Sequence, residues 1–373
     1  MGATAAAAGD AAPGVTATSI TVSVSAAFSG GYGPIISQVV AGGYGTWLAD
    51  VNAHGGIYGR KVILTHVDNK AYSDPTDGAV AACKQEQSNN SFTTVMVDGV
   101  NVEAQCLNDA HVPSILDVAQ DAPPSGTAAW QYVHTITSNP SAGPVLATYV
   151  KNVLHGGNEK LGVIYVEGES NQVEQGYVAK AKALGMDVVD VEGIQPNQSN
   201  DTAELVRLKD AGAQNVAILT GLEALGVLGG AKALDYSPVW TGEGWPLDDY
   251  AKADPTLLTG VQAIEENATD DSPAYAGFVQ LCHQYHETTC NRDTMSLYGY
   301  ALVLGKVLEA AGPNPTEASL LAGMNSIKGY NNQILAPLTW GPSVVVGAPG
   351  QWPMKCCSAA DTWMGTGQAE SNF

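Results

Sequence analysis

The sequence predicts an α/β protein made of two similar Rossmann-like lobes with parallel-rich sheets. Short β-rich runs alternate with amphipathic helical patterns, which is typical of parallel sheets covered by helices on both faces. The strands are too numerous for one open sheet of ordinary size. With 373 residues, the chain is long enough to form two hydrophobic cores.

The first strand–helix–strand unit surrounds the stretch VNAHGGIYGRKVIL. Residues 20–27 and 61–67 read as strands, and the helix between them ends near His54. Its apolar residues recur at helical spacing, at Val40, Tyr44, Trp47, Leu48 and Val51. Gly55 or Gly56 can adopt the positive φ that ends a helix, so the glycines predict a tight return to the next strand.

The same alternation predicts the later elements. Further strands are expected at 92–97, 113–118, 161–166, 187–191 and 215–220. Helices are expected at 75–87, 102–110, 173–184, 201–211 and 222–234, and another ends at the HGG of residues 155–157. Two or three helices without intervening strands follow, at 275–286, 294–311 and 316–327.

Hinge-like connections near 135–139 and 258–261 divide the chain. We expect the last three helices to return to the first lobe. The predicted organisation is a flexible tether at 1–18, lobe 1 at 19–134 plus 261–333, and lobe 2 at 135–260 plus 334–373. The tether is Ala/Gly-rich and lacks the charged and bulky apolar regions of a signal peptide.

The charge balance excludes several classes of partner. The 16 basic and 37 acidic residues give a formal net charge of −21, which would repel nucleic acid and an anionic membrane surface. No stretch approaches the roughly 20 apolar residues of a membrane-spanning helix. We therefore expect a protein that binds neither nucleic acid nor the membrane through its folded body.

Six cysteines without CxxC spacing favour disulfides and an exported protein over free buried thiols. Cys83–Cys106 and Cys282–Cys290 are the favoured pairs, because each joins neighbouring βα segments or closes a short loop. For the adjacent residues Cys356 and Cys357, two alternatives stay open: two free thiols or another disulfide pairing.

Open α/β sheets bind ligands beyond the carboxyl ends of their strands. Asp98, Asp117, Glu169 and Glu243 lie in four such loops, none of which contains Arg or Lys. Buried carboxylates need hydrogen-bond donors or positive charge, so they predict a polyhydroxylated or amine-bearing solute. The alternative is that these carboxylates cap helices or face solvent. At least two of the aromatic residues Phe28, Tyr32 and Trp245 in these loops are expected to line the pocket and stack on the ligand. The alternative for each ring, and above all for Phe28, is a place in the lobe core.

Signatures of other chemistry are missing from the sequence. GGYG and GGIYG fit neither nucleotide-binding loop pattern, and no HExxH or GxSxG motif occurs. We expect no cofactor, no metal and no catalysis. The alternative is a hydrolase that uses Asp98 or Asp117.

One long segment carries a family resemblance. The combination SGGYGP…DVNAHGGIYGRKVILTHVDNKAYSDPTDGAVAACK resembles the opening of type I periplasmic solute-binding proteins of the leucine/isoleucine/valine-binding group. Later segments, from WQYVHTITSNPSAGPVLATYV to LAPLTWGP, follow in the family's order, so the resemblance covers roughly residues 19–350. It implies two lobes joined by three hinge strands, which close on a small solute for the permease of an ABC importer.

The resemblance also implies parts of the binding site. Family members hold an amino-acid ligand through first-lobe loops, which here contain Gly99 and Asn101, and through a second-lobe glutamate that matches Glu243. The family's tyrosine falls near Glu169 or Ser170. The full predicted ligand-binding set is Phe28, Tyr32, Asp98, Gly99, Asn101, Asp117, Val118, Ala119, Gln120, Glu169, Ser170, Leu222, Glu223, Glu243 and Trp245.

The resulting prediction is a monomeric solute receptor, secreted or lipid-anchored on the outer face of the cytoplasmic membrane. A ligand-sensing receptor or regulatory domain on the same fold is the alternative.

Overall fold

The computed structural model describes residues 12–31, 33–71, 73–74, 76–97, 99–119, 122–124, 129–154, 160–168, 170–196, 198, 200–220, 223–243, 255–285, 289–342, 346–347, 352–355 and 364–365. Within them, two separate sheets form, each covered by helices. The predicted α/β class is therefore confirmed.

The first sheet has five strands, all parallel, in the order β2-β1-β3-β4-β5. They are β1 (Ser19–Ala26), β2 (Lys61–Asp68), β3 (Thr93–Met96), β4 (Ser114–Ala119) and β5 (Val133–Ser138). The second sheet has the order β7-β6-β8-β9-β10-β11-β12. Its strands are β6 (Lys160–Val166), β7 (Asp187–Ile194), β8 (Asn215–Leu219), β9 (Val239–Glu243), β10 (Gln262–Glu265), β11 (Trp352–Lys355) and β12 (Met364–Gly365). Strands β6 to β10 are parallel, whereas β11 and β12 add an antiparallel edge.

Helices alternate with the strands and then follow one another near the end of the chain. The α-helices are α1 (Gly33–Val40), α2 (Thr46–Ala53), α3 (Asp77–Ser88), α4 (Asn101–Asp109), α5 (Asn139–Val153), α6 (Asn171–Ala183), α7 (Thr202–Asp210), α8 (Ala224–Ala233), α9 (Pro255–Leu258), α10 (Pro273–Gln284), α11 (Arg292–Ala310) and α12 (Glu317–Ser326). Among the described helices, none is both long and apolar enough to cross a lipid bilayer.

Each sheet has its own buried core. Helices α11 and α12 pack on the first sheet, together with Leu338 and Trp340, which is fully buried. The second sheet is covered on one face by α7 and α8 and on the other by α5 and α6. Since α5 follows β5 directly and α10 to α12 follow β10, the chain passes from one core to the other more than once. Such crossings are what a hinge between two lobes requires.

The first predicted hinge-like connection, 135–139, overlaps strand β5, and the second, 258–261, directly precedes strand β10. β5 pairs with β4 in the first sheet, and β10 pairs with β9 in the second. Both strands thus lie at the boundaries that the sequence places at 134/135 and 260/261. The division into lobes stays a prediction.

The glycine-rich return after α2 forms as predicted. Gly55 and Gly56 adopt φ values of +96° and +73°, and the chain then enters β2. The preceding helix differs from the prediction in one respect, because residues Ala41–Gly45 form a π-helical segment between α1 and α2. Within this segment, a side chain at Gly43 would collide with Leu297 of α11, so glycine permits the close approach of the two helices.

Both favoured disulfides are present, Cys83–Cys106 between α3 and α4 and Cys282–Cys290 between the end of α10 and the start of α11. The two predicted pairings are confirmed. Cys356 and Cys357 lie outside the described residues.

Candidate ligand-binding site

The carboxyl ends of the parallel strands carry most of the predicted binding residues. The structure describes nine of them: Phe28, Gly99, Asn101, Asp117, Val118, Ala119, Ser170, Glu223 and Glu243. Six others lie outside the described residues: Tyr32, Asp98, Gln120, Glu169, Leu222 and Trp245.

Loops from the two sheets meet at these strand ends. The Asn101 side chain, at the start of α4, donates from Nδ2 to the backbone oxygen of Ala122 over 3.3 Å. The Ala122 N–H in turn donates to Oε1 of Gln172 over 3.1 Å. Gln172 lies in the first turn of α6, directly after β6 of the second sheet. The regions that follow β3, β4 and β6 are therefore in contact.

Three buried polar atoms near these strand ends have no hydrogen-bond partner among the described residues. They are Oδ1 of Asn101, Oγ1 of Thr220 and Oε1 of Glu243. Native proteins pair nearly all such atoms, and exceptions are common where a ligand or water completes the site. The first-sheet loops contribute one of these atoms and the second-sheet loops contribute two, so both sheets supply oxygen atoms that a ligand can pair.

Thr220 is not among the predicted binding residues, although Leu222 and Glu223 of the same loop are. It directly follows β8, and Ile218 of that strand pairs with Gly242 of β9, so Thr220 and Glu243 lie at the same edge of the sheet. The sequence feature that identifies Thr220 is its position as the first polar residue after a buried apolar strand.

Glu243 lies at the end of β9, in an environment that disfavours its charge. Burial raises the pKa of its carboxyl to about 7, and the negative charge of Glu266 adds to the effect. Glu266 directly follows β10, the neighbouring strand. Its carboxylate accepts a hydrogen bond from Thr137 Oγ1 over 2.8 Å and another from the Tyr300 hydroxyl. Glu266 is not among the predicted site residues, because the sequence analysis assigns no strand to residues 262–265 and therefore no strand-end loop after them.

Asp117 is held inside the first sheet, in strand β4. Its side chain is fully buried, and the Tyr44 hydroxyl donates to Oδ2 and Oδ1 over 2.8 and 3.0 Å. The following residues are also buried, with Val118 8% exposed and Ala119 fully covered. Asp117 thus neither caps a helix nor faces solvent.

The remaining described residues have mixed surroundings. Phe28 is partly buried, packs against the first core and stacks on His66 with ring centroids 4.6 Å apart. Ser170 and Glu223 occupy the N-cap positions of α6 and α8. Gly99 leaves no room for a side chain beside Leu116.

The fold and the strand-end site define a two-sheet α/β binding protein. A model of the periplasmic binding protein family matches residues 19–355, and the chain belongs to this family. None of the curated proteins compared with it is significantly similar.

Solved structures share the fold at low sequence identity. An ABC transporter substrate-binding protein from Sphaerobacter thermophilus is 16% identical, with a TM-score of 0.79 over 95% of this chain and 98% of that one. A fatty acid ABC transporter substrate-binding protein from Thermomonospora curvata is 17% identical, with a TM-score of 0.76 over 96% and 94%. A solute-binding protein of an ABC transporter from R. palustris, in complex with benzoate, is 14% identical, with a TM-score of 0.73 over 95% and 97%.

Proposed function

We propose that this protein is the extracytoplasmic solute receptor of an ABC importer. It binds one small polar solute between its two lobes, which close about the hinge, and it presents the closed form to a membrane permease. The receptor acts as a monomer, secreted or lipid-anchored on the outer face of the cytoplasmic membrane, and performs no catalysis.

The observation that carries this proposal is that buried oxygen atoms of Asn101, Thr220 and Glu243 have no hydrogen-bond partner within the described part of the chain. A buried polar atom without a partner destabilises the protein by about 1–3 kcal/mol, so a ligand that supplies the missing hydrogen bonds gains affinity. Because these atoms come from strand ends of both sheets, a ligand that pairs with all three favours the closed form over the open one.

The chemistry of these atoms supports a donor-rich solute. The amide oxygen of Asn101 only accepts hydrogen bonds, and the Glu243 carboxylate also accepts them once it is ionised. Repulsion between Glu243 and Glu266 adds to the preference for hydrogen-bond donors or positive charge. A polyhydroxylated or amine-bearing solute fits this environment, whereas a phosphate, a dicarboxylate or a simple fatty acid does not.

A ligand panel tests the proposal directly. Native mass spectrometry of the purified protein identifies any solute that remains bound, and thermal denaturation then compares polyols, amines and anions. We expect polyols or amines to raise the melting temperature, because a ligand of the native state stabilises it. A rise with anions alone would contradict the proposed solute class, and turnover of the bound solute would contradict the receptor role.

A matched pair of threonine variants tests the site. Thr220→Val replaces the hydroxyl with a methyl group, and we expect it to weaken solute binding about tenfold, or about 1.4 kcal/mol. Thr202→Val makes the same change at an exposed position at the start of α7 and should leave affinity unchanged. Equal affinities in both variants would remove Thr220 from the site.

A further inference from the structure

Two consecutive hydrogen bonds join the strand ends of the first sheet to helix α6, which covers the second sheet. The Ala122 N–H donates to Oε1 of Gln172 over 3.1 Å, and the Ala122 backbone oxygen accepts from Nδ2 of Asn101 over 3.3 Å. We call these three residues the Asn101–Ala122–Gln172 bridge. It connects a candidate binding residue at the start of α4 with Gln172, which the sequence analysis does not assign to the site.

The chemistry of the bridge fixes the orientation of both amide side chains. A backbone oxygen only accepts hydrogen bonds, so Asn101 must turn its NH₂ group to Ala122 and its Oδ1 the other way. A backbone N–H only donates, so Gln172 must turn its oxygen to Ala122. Oδ1 of Asn101 is buried and has no hydrogen-bond partner among the described residues. The bridge therefore holds this acceptor in an orientation that leaves it available to a solute.

Gln172 belongs to a rigid part of the structure. The next residue, Val173, is 7% exposed and packs in the core of the second sheet. Helix α5 lies close to this turn of α6, because a side chain at Gly143 would collide with the backbone oxygen of Val173. Before the helix, the Gly168 N–H donates to Oδ1 of Asn171 over 3.0 Å. A side chain on such a fixed element can position a site with little loss of conformational entropy.

We propose that Gln172 is a positioning residue of the solute receptor, which links the region after β4 to α6 and thereby orients the Asn101 amide toward the solute. This inference rests on the proposed function, in which two lobes close on the solute. Closure brings Gln172 to Ala122 and fixes the Asn101 amide, whereas separation of the lobes breaks the bond and lets this amide rotate. The site is thus complete only in the closed form, and the solute favours that form.

The strength of the bridge suits a reversible receptor. A single neutral hydrogen bond changes an equilibrium constant about two- to tenfold. The bond between Ala122 and Gln172 is exposed, so water can replace Gln172 when the lobes separate. The bridge therefore shifts the population toward the closed form and still permits release of the solute.

Hydrogen exchange of the whole protein, followed by NMR without added solute, tests the bridge. Gln172→Met keeps the length of the side chain and removes the acceptor. We expect the Ala122 N–H to exchange about two- to tenfold faster in this variant, and the NH₂ group of Asn101 to exchange faster as well. Gln172→Glu keeps an acceptor oxygen at the same position and should restore slow exchange. Gln280→Met, at an exposed glutamine of α10, is the control and should change neither rate.

Three outcomes of this experiment would overturn the inference. Unchanged exchange at Ala122 in Gln172→Met would show that the hydrogen bond does not hold the two regions together. Faster exchange at Ala122 with unchanged exchange at Asn101 would show that Gln172 does not orient the amide. Equally fast exchange in Gln172→Glu and Gln172→Met would show that the acceptor oxygen is not responsible.

Two solute probes separate this inference from the proposed function. Thermal denaturation with sorbitol, a polyol, and with putrescine, a diamine, gives the apparent Kd of a probe that binds. We expect Gln172→Met to weaken binding about two- to tenfold, and equal Kd values for the variant and the unaltered protein would overturn the positioning role. If neither probe stabilises the unaltered protein, the proposed solute class fails, while hydrogen exchange at Ala122 and Asn101 still decides whether the bridge forms.

Discussion

The Tyr44 hydroxyl donates a hydrogen bond to Oδ2 of Asp117 over 2.8 Å, although the two residues are 73 positions apart. Both side chains are fully buried. Tyr44 lies in the π-helical segment that precedes α2, and Asp117 lies near the carboxyl end of β4. The contact therefore ties the first helical region to the strand that leads into the candidate site.

Replacing Tyr44 with phenylalanine should destabilise the protein by about 1–3 kcal/mol. The change removes a donor from a buried carboxylate while it preserves the packing of the ring. The free energy of unfolding, measured by chemical denaturation at pH 7, gives the effect. Tyr58→Phe is the control, because Tyr58 is 52% exposed and its change should stay within about 0.5 kcal/mol. Similar values for both variants would show that the Asp117 contact contributes little.

Stability should fall as the pH rises through neutrality, and Glu243 should account for part of this fall. Burial raises its pKa from 4.5 to about 7, so the folded state favours the protonated carboxyl. The resulting stabilisation is complete below about pH 4.5 and is lost as the pH rises through about 7. We expect a contribution of up to about 3 kcal/mol.

Glu243→Gln isolates this contribution, because glutamine stays neutral at every pH. The free energy of unfolding of the variant should fall less between pH 4.5 and 8 than that of the unaltered protein. Glu309→Gln, at an exposed carboxylate, should retain the full pH dependence. Parallel curves for the unaltered protein and Glu243→Gln would contradict the raised pKa.

The two disulfides should stabilise the protein through the loops that they close. Cys83 and Cys106 are separated by 23 residues, and replacing both with serine should lower the free energy of unfolding by about 3 kcal/mol. The Cys282–Cys290 pair, with a separation of 8, should contribute about 2.5 kcal/mol. Denaturation of the two double variants gives these values, and non-reducing peptide mapping that found free thiols would contradict the pairings.

Aromatic walls of the cleft are a further prediction. Tyr32→Ala and Trp245→Ala should each weaken solute binding by about 1–3 kcal/mol and leave the fold intact. Calorimetric titration with the solute identified by mass spectrometry measures this loss, and circular dichroism checks the fold. Tyr58→Ala, at an exposed tyrosine, is the control. Undiminished affinity in both test variants would remove these rings from the site.

Local sequence patterns identified most elements within a few residues. The helix pattern that ends at His54 and the two glycines after it depend on neighbouring residues, and the structure reproduces them. The sequence patterns do not predict β5, β9 or β10, each of which lies beside a parallel neighbour in its sheet. Hydrophobic periodicity reports burial along one element and carries no information on such partners.

The sequence by itself determined the α/β class, the alternation of strands and helices, the two disulfide pairs and the strand-end loops as the place to look for a ligand. Only the tertiary structure decided which carboxylates of this acidic chain are buried and what they contact. Glu86 and Glu103 lie on ordinary amphipathic helices in the sequence, yet the packing of α3 and α4 on β1 and β3 encloses both. The physical reason is that burial and pairing of a charge depend on residues far apart in the chain, which only the packed fold brings together.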